Sequence, residues 1–222
     1  MRPALLALPV LALSTPAQAE DLQTWLEAKL ALEPAKRLEL SVAPQVRLQL
    51  DDPRQLSAAM VDLGVEYGPT RWLALGLTYR PSYERDGDEA LVTRHRLAAD
   101  LMARLDLGDL RLGYRLRLTE KYRPDANNQW KATLRNLVSV TWRGWEDWRP
   151  KASAELYVGL DDFDQAERDT LRLTVGTEYA LTERQSIEVF YRVETLHADE
   201  DTPTLHILGL GWGFDLDLRD GG

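Results

Sequence analysis

Cysteine is absent from the 222-residue chain, so neither a disulfide framework nor a lipid-bearing N-terminal cysteine is possible. Histidine is limited to His95, His197 and His206, and no serine stands with any of them in a recognised nucleophile motif. A glycine-rich phosphate loop is missing as well. Gly209, Gly211 and Gly213 alternate inside a strand-like stretch instead of preceding a helix; such glycines suit a strand that curves or packs closely. The formal net charge of −9 argues against nucleic acid as a partner. Beyond the N-terminus no apolar run approaches the ~20 residues of a membrane-spanning helix. The mean hydropathy of −0.37 would suit a soluble protein. A barrel strand, however, turns every second residue to lipid and the others to a polar lumen, so its average comes out hydrophilic.

What is present begins with a leader. Met1 and Arg2 precede the apolar stretch from Ala4 to Leu13, and Ala17-Gln18-Ala19 places small residues where signal peptidase needs them. Residues 1–19 therefore read as a signal peptide cleaved after Ala19, and residues 20–222 as one domain.

The strongest signal in that domain is alternation. From 38 to 50 the even positions are Leu38, Leu40, Val42, Pro44, Val46, Leu48 and Leu50, and the odd ones Glu39, Ser41, Ala43, Gln45, Arg47 and Gln49. That is the period of a strand, not of a helix. From 110 to 118 leucines and Tyr114 alternate with Arg111, Gly113, Arg115 and Arg117. The pattern recurs in eleven segments, near 22–32, 37–51, 56–67, 71–81, 91–107, 110–121, 130–142, 150–160, 168–179, 185–196 and 204–216. Most reach the ~9–11 residues with which a tilted strand crosses an outer membrane.

Shorter connections at 68–70, 108–109, 143–149 and 180–184 alternate with longer acidic ones at 82–90, 122–129, 161–167 and 197–203. Short turns on one side and long loops outside the cell are the outer-membrane arrangement, and they put the end of the last strand in the periplasm. A two-residue turn at Gly108-Asp109 sets Leu107 opposite Leu110, Asp106 opposite Arg111 and Asp100 opposite Arg117. A slip of two residues would set Arg104 against Arg111, a like-charge pair that destabilises. Aromatic residues gather near both ends of the segments: Tyr67, Trp72, Trp142, Trp145, Trp148, Tyr179 and Trp212 at one, Tyr79, Tyr83, Tyr122 and Trp130 at the other. Two such girdles suit a wall embedded in lipid. The expected fold is all-β, a transmembrane antiparallel up-and-down β-barrel of about 10–12 strands. Eleven candidates conflict with the even numbers usual in single-chain bacterial barrels, leaving a further strand, an incomplete first segment or an unusual closure open.

Trp25, Arg94-His95-Arg96, Arg115-Leu116-Arg117, Leu134-Arg135-Asn136 and Phe190-Tyr191-Arg192 occur in this order along the chain. In order and spacing they resemble the bacterial outer-membrane proteins grouped as domain of unknown function 2490, across essentially the whole mature chain. Where such proteins carry a glutamate or aromatic pair before the third longer loop, this chain has Glu155-Leu156-Tyr157 and then Asp161-Asp162-Phe163. The resemblance implies an outer-membrane barrel of unassigned activity and transfers no catalytic residue.

Charges enclosed by a barrel must be paired or hydrated. The alternation turns Arg47, Arg80, Arg94, Arg96, Arg104, Arg111, Arg115, Arg117, Arg135, Arg172 and Arg192 inward, with Glu27, Glu39, Asp62, Glu66, Asp100, Asp106, Glu155, Glu178, Glu188 and Glu194. One reading is salt-bridge bracing, since a guanidinium fork serves two carboxylates. The other is a narrow conduit in which unneutralised arginines, densest at Arg94, Arg96, Arg115 and Arg117, admit small anionic or sugar-like solutes. An Asp/His rim of His197, Asp199, Glu200 and Asp201 is imaginable. It lacks a nucleophile, so no enzyme and no cofactor are expected. Asp161, Asp162, Asp164 and Asp169 lack the calcium-loop spacing and its glycine, so no metal site is expected. The partners expected are outer-membrane lipid and lipopolysaccharide, with small anionic solutes under the conduit reading.

Overall fold

A computed structural model describes residues 21–50, 55–86, 90–124, 129–160, 170–196 and 204–219. The leader, the acidic stretches 161–167 and 197–203, and with them His197, lie outside the described residues. Eleven strands follow one another: β1 (Asp21–Ala35), β2 (Leu38–Gln49), β3 (Leu56–Tyr67), β4 (Leu73–Asp86), β5 (Ala90–Leu107), β6 (Leu110–Arg123), β7 (Gln129–Trp142), β8 (Trp148–Gly159), β9 (Thr170–Thr182), β10 (Gln185–Leu196) and β11 (Leu205–Asp217). Each pairs with its sequence neighbours and the sheet closes into a barrel.

Consecutive strands are antiparallel, and the closing pair is parallel, running from Asp21 beside Leu205 to Glu33 beside Asp217. This follows from the odd number: in an up-and-down order the first and eleventh strands point the same way. The eleven segments are thus all strands, and the unusual closure resolves their conflict with even numbering. β1 starts at the rim of the longer connections, here called the loop end, and β11 finishes at the opposite turn end.

The register is strongly staggered. Followed through successive partners one way round, Trp25 leads by Gly209, Phe190, Gly176, Lys151, Thr141 and Arg111 to Asp106 on β5. The other way it leads by Arg47, Ala58 and Glu84 to Val92. The two arrival points are nearly a strand length apart, the shear that accompanies tilted strands. Within the β5–β6 hairpin, Asp106 stands opposite Arg111 and Asp100 opposite Arg117, the register that the charges favour. Gly108 takes φ 61° there, the positive φ such a tight turn requires. Pairing lapses beside Pro44 between β1 and β2, and beside Pro81 between β3 and β4, where the ring leaves no N–H for the ladder.

One boundary differs from the sequence reading. β4 continues to Asp86, where the acidic composition suggests a loop from 82. Period two persists through Ser82, Tyr83 and Glu84, and each of the inward pair finds a polar partner inside.

Outward positions are leucine, valine and aromatic and are exposed, among them Leu97, Leu101, Leu105, Leu112, Val138, Val175 and Leu210. Aromatics face out toward both ends, with Trp148 against Tyr179 at the turn end (centroids 4.9 Å) and Tyr122 against Trp130 at the loop end (4.6 Å). A continuous apolar exterior of this extent is unstable in water. Some outward polar groups find partners on the wall: Tyr114 Oη donates to Asn136 Oδ1 at 2.9 Å, and the Tyr191 hydroxyl meets His206 Nδ1 at 2.6 Å. What is buried lies inside the barrel.

Candidate functional site in the lumen

Charged side chains fill the lumen because alternation leaves them no other direction, and they divide by height. In the turn half, pairs are open to solvent; some join adjacent strands, and two, Arg104 with Glu66 and Lys151 with Glu188, reach across one intervening strand. Arg111 donates to Asp106 (2.7 Å) and Arg104 to Glu66 (2.8 Å), and Lys29 pairs with Glu39 (2.7 Å). Arg149 reaches Glu178 (2.9 Å) and Lys151 reaches Glu188 (2.6 Å). The arginine side chains of these pairs are 36–47% exposed.

In the loop half, carboxylates are shared and buried. Glu155 on β8 is the main hub. Its Oε1 accepts from Arg115 Nη2 (2.8 Å) and Arg135 Nε (3.1 Å); its Oε2 accepts from Arg135 Nη2 (2.8 Å), Arg172 Nη1 (3.5 Å) and Tyr157 Oη (3.1 Å). Its side chain is 4% exposed. Arg172 also holds Glu194 (2.7 Å), and it and Arg135 lie over the Tyr157 ring at 4.9 and 4.3 Å. Asp100 takes both prongs of Arg117 (2.6 and 2.7 Å), and Asp62 pairs with Arg80. Glu84 gathers Arg94 (2.6 Å), Lys121 (3.0 Å) and, at 3.9 Å, Arg96. Several of these contacts skip a strand, joining β6 to β8 and β4 to β6, so they tie the wall across the lumen.

The seam between β11 and β1 supplies an apolar counterpart. Gly209, Gly211 and Gly213 leave the middle of the lumenal face of β11 bare, and Phe190 lies across Gly209 so closely that a Cβ there would run into its ring. Trp25, 3% exposed, packs with Phe190 and Ile207 in that space. Its indole N–H donates to Gln23 Oε1 at 2.9 Å. Guanidinium groups cover its face, Arg47 at 3.7 Å, Arg192 at 4.9 Å and Arg172 at 5.7 Å. Cation–π attraction of this kind strengthens as water is removed.

Between hubs and seam lies a cavity of about 610 Å³. Ten cationic side chains line it against five carboxylates, Glu27, Asp62, Glu84, Glu155 and Glu194. The chain is acidic overall; the chamber is basic. Of the inward charges read from the sequence, Arg94, Arg96, Asp100, Arg115, Arg117, Arg135, Glu155, Arg172 and Arg192 stand in the loop half. Arg104, Asp106, Arg111, Glu178 and Glu188 stand apart, in the turn half. Sequence reading missed Glu84, Lys121, Tyr157 and the lumenal place of Trp25. Lys121 and Tyr157 sit on inward parity, and Trp25 shares its parity with Gln23, Glu27 and Lys29, which was the available signal. Glu84 was hidden by the acidic run read as loop.

Together these features define a closed eleven-stranded β-barrel with an apolar exterior and a cross-braced, cation-rich interior. The chain belongs to a family of proteins of unknown function, DUF2490, which it matches over residues 22–203. Of the segments in which the sequence resembles that family, Trp25, Arg94, Arg96, Arg115, Arg117, Arg135 and Arg192 face the loop half of the lumen, whereas His95, Asn136 and Tyr191 face outward. No curated protein matches the sequence. Among solved structures the chain is similar to the anion-selective porin from Comamonas acidovorans, at 14% identity and a TM-score of 0.37 over 79% of this chain and 55% of the porin. It is also similar to the translocator domain of the autotransporter NalP from Neisseria meningitidis, at 13% identity and a TM-score of 0.37 over 80% of this chain and 72% of that one. The chain thus spans about half the length of the porin it matches.

Proposed function

We propose that this chain is an outer-membrane β-barrel whose lumen is braced closed, with a structural or interaction role in that membrane and no catalytic step of its own. The observation that carries the reading is the inversion of the wall: leucines and tryptophans exposed outside, charges buried inside. Lipid satisfies the first and the ion-pair hubs the second. In this reading the leader is removed after Ala19, the short turns face the periplasm and the loop end faces outward. The partners are outer-membrane lipid and lipopolysaccharide. Eleven strands enclose more space than the eight-stranded barrels that side chains fill, and far less than a porin of 16–18 strands. Long arginines bridge that intermediate width.

The mature chain is expected to fractionate with outer membranes, to require detergent, and to migrate differently before and after boiling on a denaturing gel. A chain soluble without detergent in the periplasm would contradict the reading. The surplus of lumenal cations favours one alternative, a narrow passage for small anionic or sugar-like solutes. Under bracing, neutralising Arg115 and Arg117 lowers the unfolding temperature and leaves permeability alone. Under passage it changes anion selectivity.

A further inference from the structure

The cations lining the chamber outnumber its carboxylates ten to five. Arg47 directs Nε and Nη2 at a neutral acceptor, Gln45 Oε1 (3.0 and 2.9 Å). Arg192 directs Nε at another, Thr174 Oγ1 (3.0 Å). Neither has a carboxylate at ion-pair distance among the described residues. Arg96 comes no nearer than 3.9 Å to Glu84, which Arg94 and Lys121 already hold. The buried Nε of Arg115 has no hydrogen-bond acceptor. A guanidinium carries five N–H donors, so the remaining donors of Arg47 and Arg192 stand on the cavity without a protein partner. Arg47 lies within electrostatic reach of three further cations, Arg80, Arg96 and Arg172, and of one carboxylate, Glu84. Like charges gathered in a space shielded from bulk water repel, and an anion among them removes that repulsion.

We infer that the loop half of the lumen is a binding chamber for a small, multiply charged oxyanion, gripped by the forks of Arg47 and Arg192 beside Trp25, with Arg96 completing the site. Planar bidentate donors match the oxygens of carboxylate and phosphate groups alike. The cavity of about 610 Å³ falls within the range of small-molecule sites. The wall is hydrogen-bonded all the way round, which excludes lipid headgroups from this position and leaves soluble solutes. Both forks rest against the Trp25 ring, Arg47 at 3.7 Å and Arg192 at 4.9 Å, so the indole is a shared platform for them. The inference rests on the lumen alone, so an absence of ion current leaves it standing, and a failure to bind leaves the membrane reading standing.

The test is calorimetric titration of the refolded full chain in detergent with pyrophosphate and with citrate, against chloride at matched ionic strength. At least one of the two polyanions is expected to bind and raise the melting temperature, and chloride to do neither. Arg47→Gln and Arg192→Gln are each expected to weaken that binding about tenfold or more, the loss of one charge-assisted fork. Arg104→Gln, in the turn half, is expected to leave it within about twofold. Should Arg192→Gln fail to fold, Arg192→Lys keeps the charge, loses the fork and is expected to fold and bind more weakly. No binding by the wild type, or equal effects of chloride and the polyanions, would overturn the inference. So would equal losses from Arg104→Gln and Arg192→Gln.

Discussion

The two halves of the lumen are built from the same residue types and hold them differently. In the turn half the paired arginines and lysines hold carboxylates that remain wet along with them, as with Arg104 and Glu66. In the loop half one carboxylate serves several guanidiniums and is almost inaccessible, as with Glu155. Exposed pairs contribute little because water and salt compete for both partners. A shared buried carboxylate is different, since removing it leaves several cations unpaired in a poorly solvated space. Residue type therefore does not set the strength of these interactions; position along the barrel axis does.

The largest expected effect separates the halves outright. Glu155→Gln should cost about 3–5 kcal/mol, the cost of stranding buried charge, and Glu66→Gln about 0.2–1 kcal/mol. Urea unfolding in lipid vesicles measures both, and equal losses would erase the distinction. A second comparison uses glycine. Gly209→Ala drives a methyl group into the Phe190 ring, held between Trp25 and Ile207, and should cost about 1–3 kcal/mol. Gly113→Ala, in the turn half, meets only the Ser139 hydroxyl, which can rotate away. Its loss should stay below about 1 kcal/mol, near the ordinary scale of surface changes. If Phe190 is the obstacle, Gly209→Ala combined with Phe190→Leu should lose less than the sum of the two single changes.

The smallest effect is a difference in salt response. A double-mutant cycle on Arg104 and Glu66 should lose most of its coupling in 1 M salt, where the screening length is about 3 Å. The corresponding cycle on Arg135 and Glu155 should keep more of it, because a carboxylate only 4% exposed is screened less than one in open water.

Much of the wall is legible in the sequence because period two is a property of the strand itself. Leu38 to Leu50 and Leu110 to Leu118 declare their faces without reference to any partner. Register is legible where a tight turn and opposite charges coincide, as at Gly108 with Asp106 and Arg111. The closing pair is not, since nothing in the segment from Asp21 to Ala35 announces that it will lie parallel to the last strand. That relation exists only once all eleven strands are counted. The hubs are hidden for a similar reason. Parity tells that Arg115 and Glu155 face inward, but β7 intervenes between them in the sheet, and only curvature brings them to 2.8 Å. Glu84 was concealed by composition, because an acidic run reads as a loop until inward partners such as Lys121 are known.

The central claim is that the loop half of the lumen is braced closed, and conductance of the purified chain in a planar lipid bilayer tests it most directly. No current above background is expected from the wild type at moderate voltage, with channel openings emerging in Glu155→Gln as the hub comes apart. A steady anion current through the wild type, unchanged in Glu155→Gln, would contradict the account.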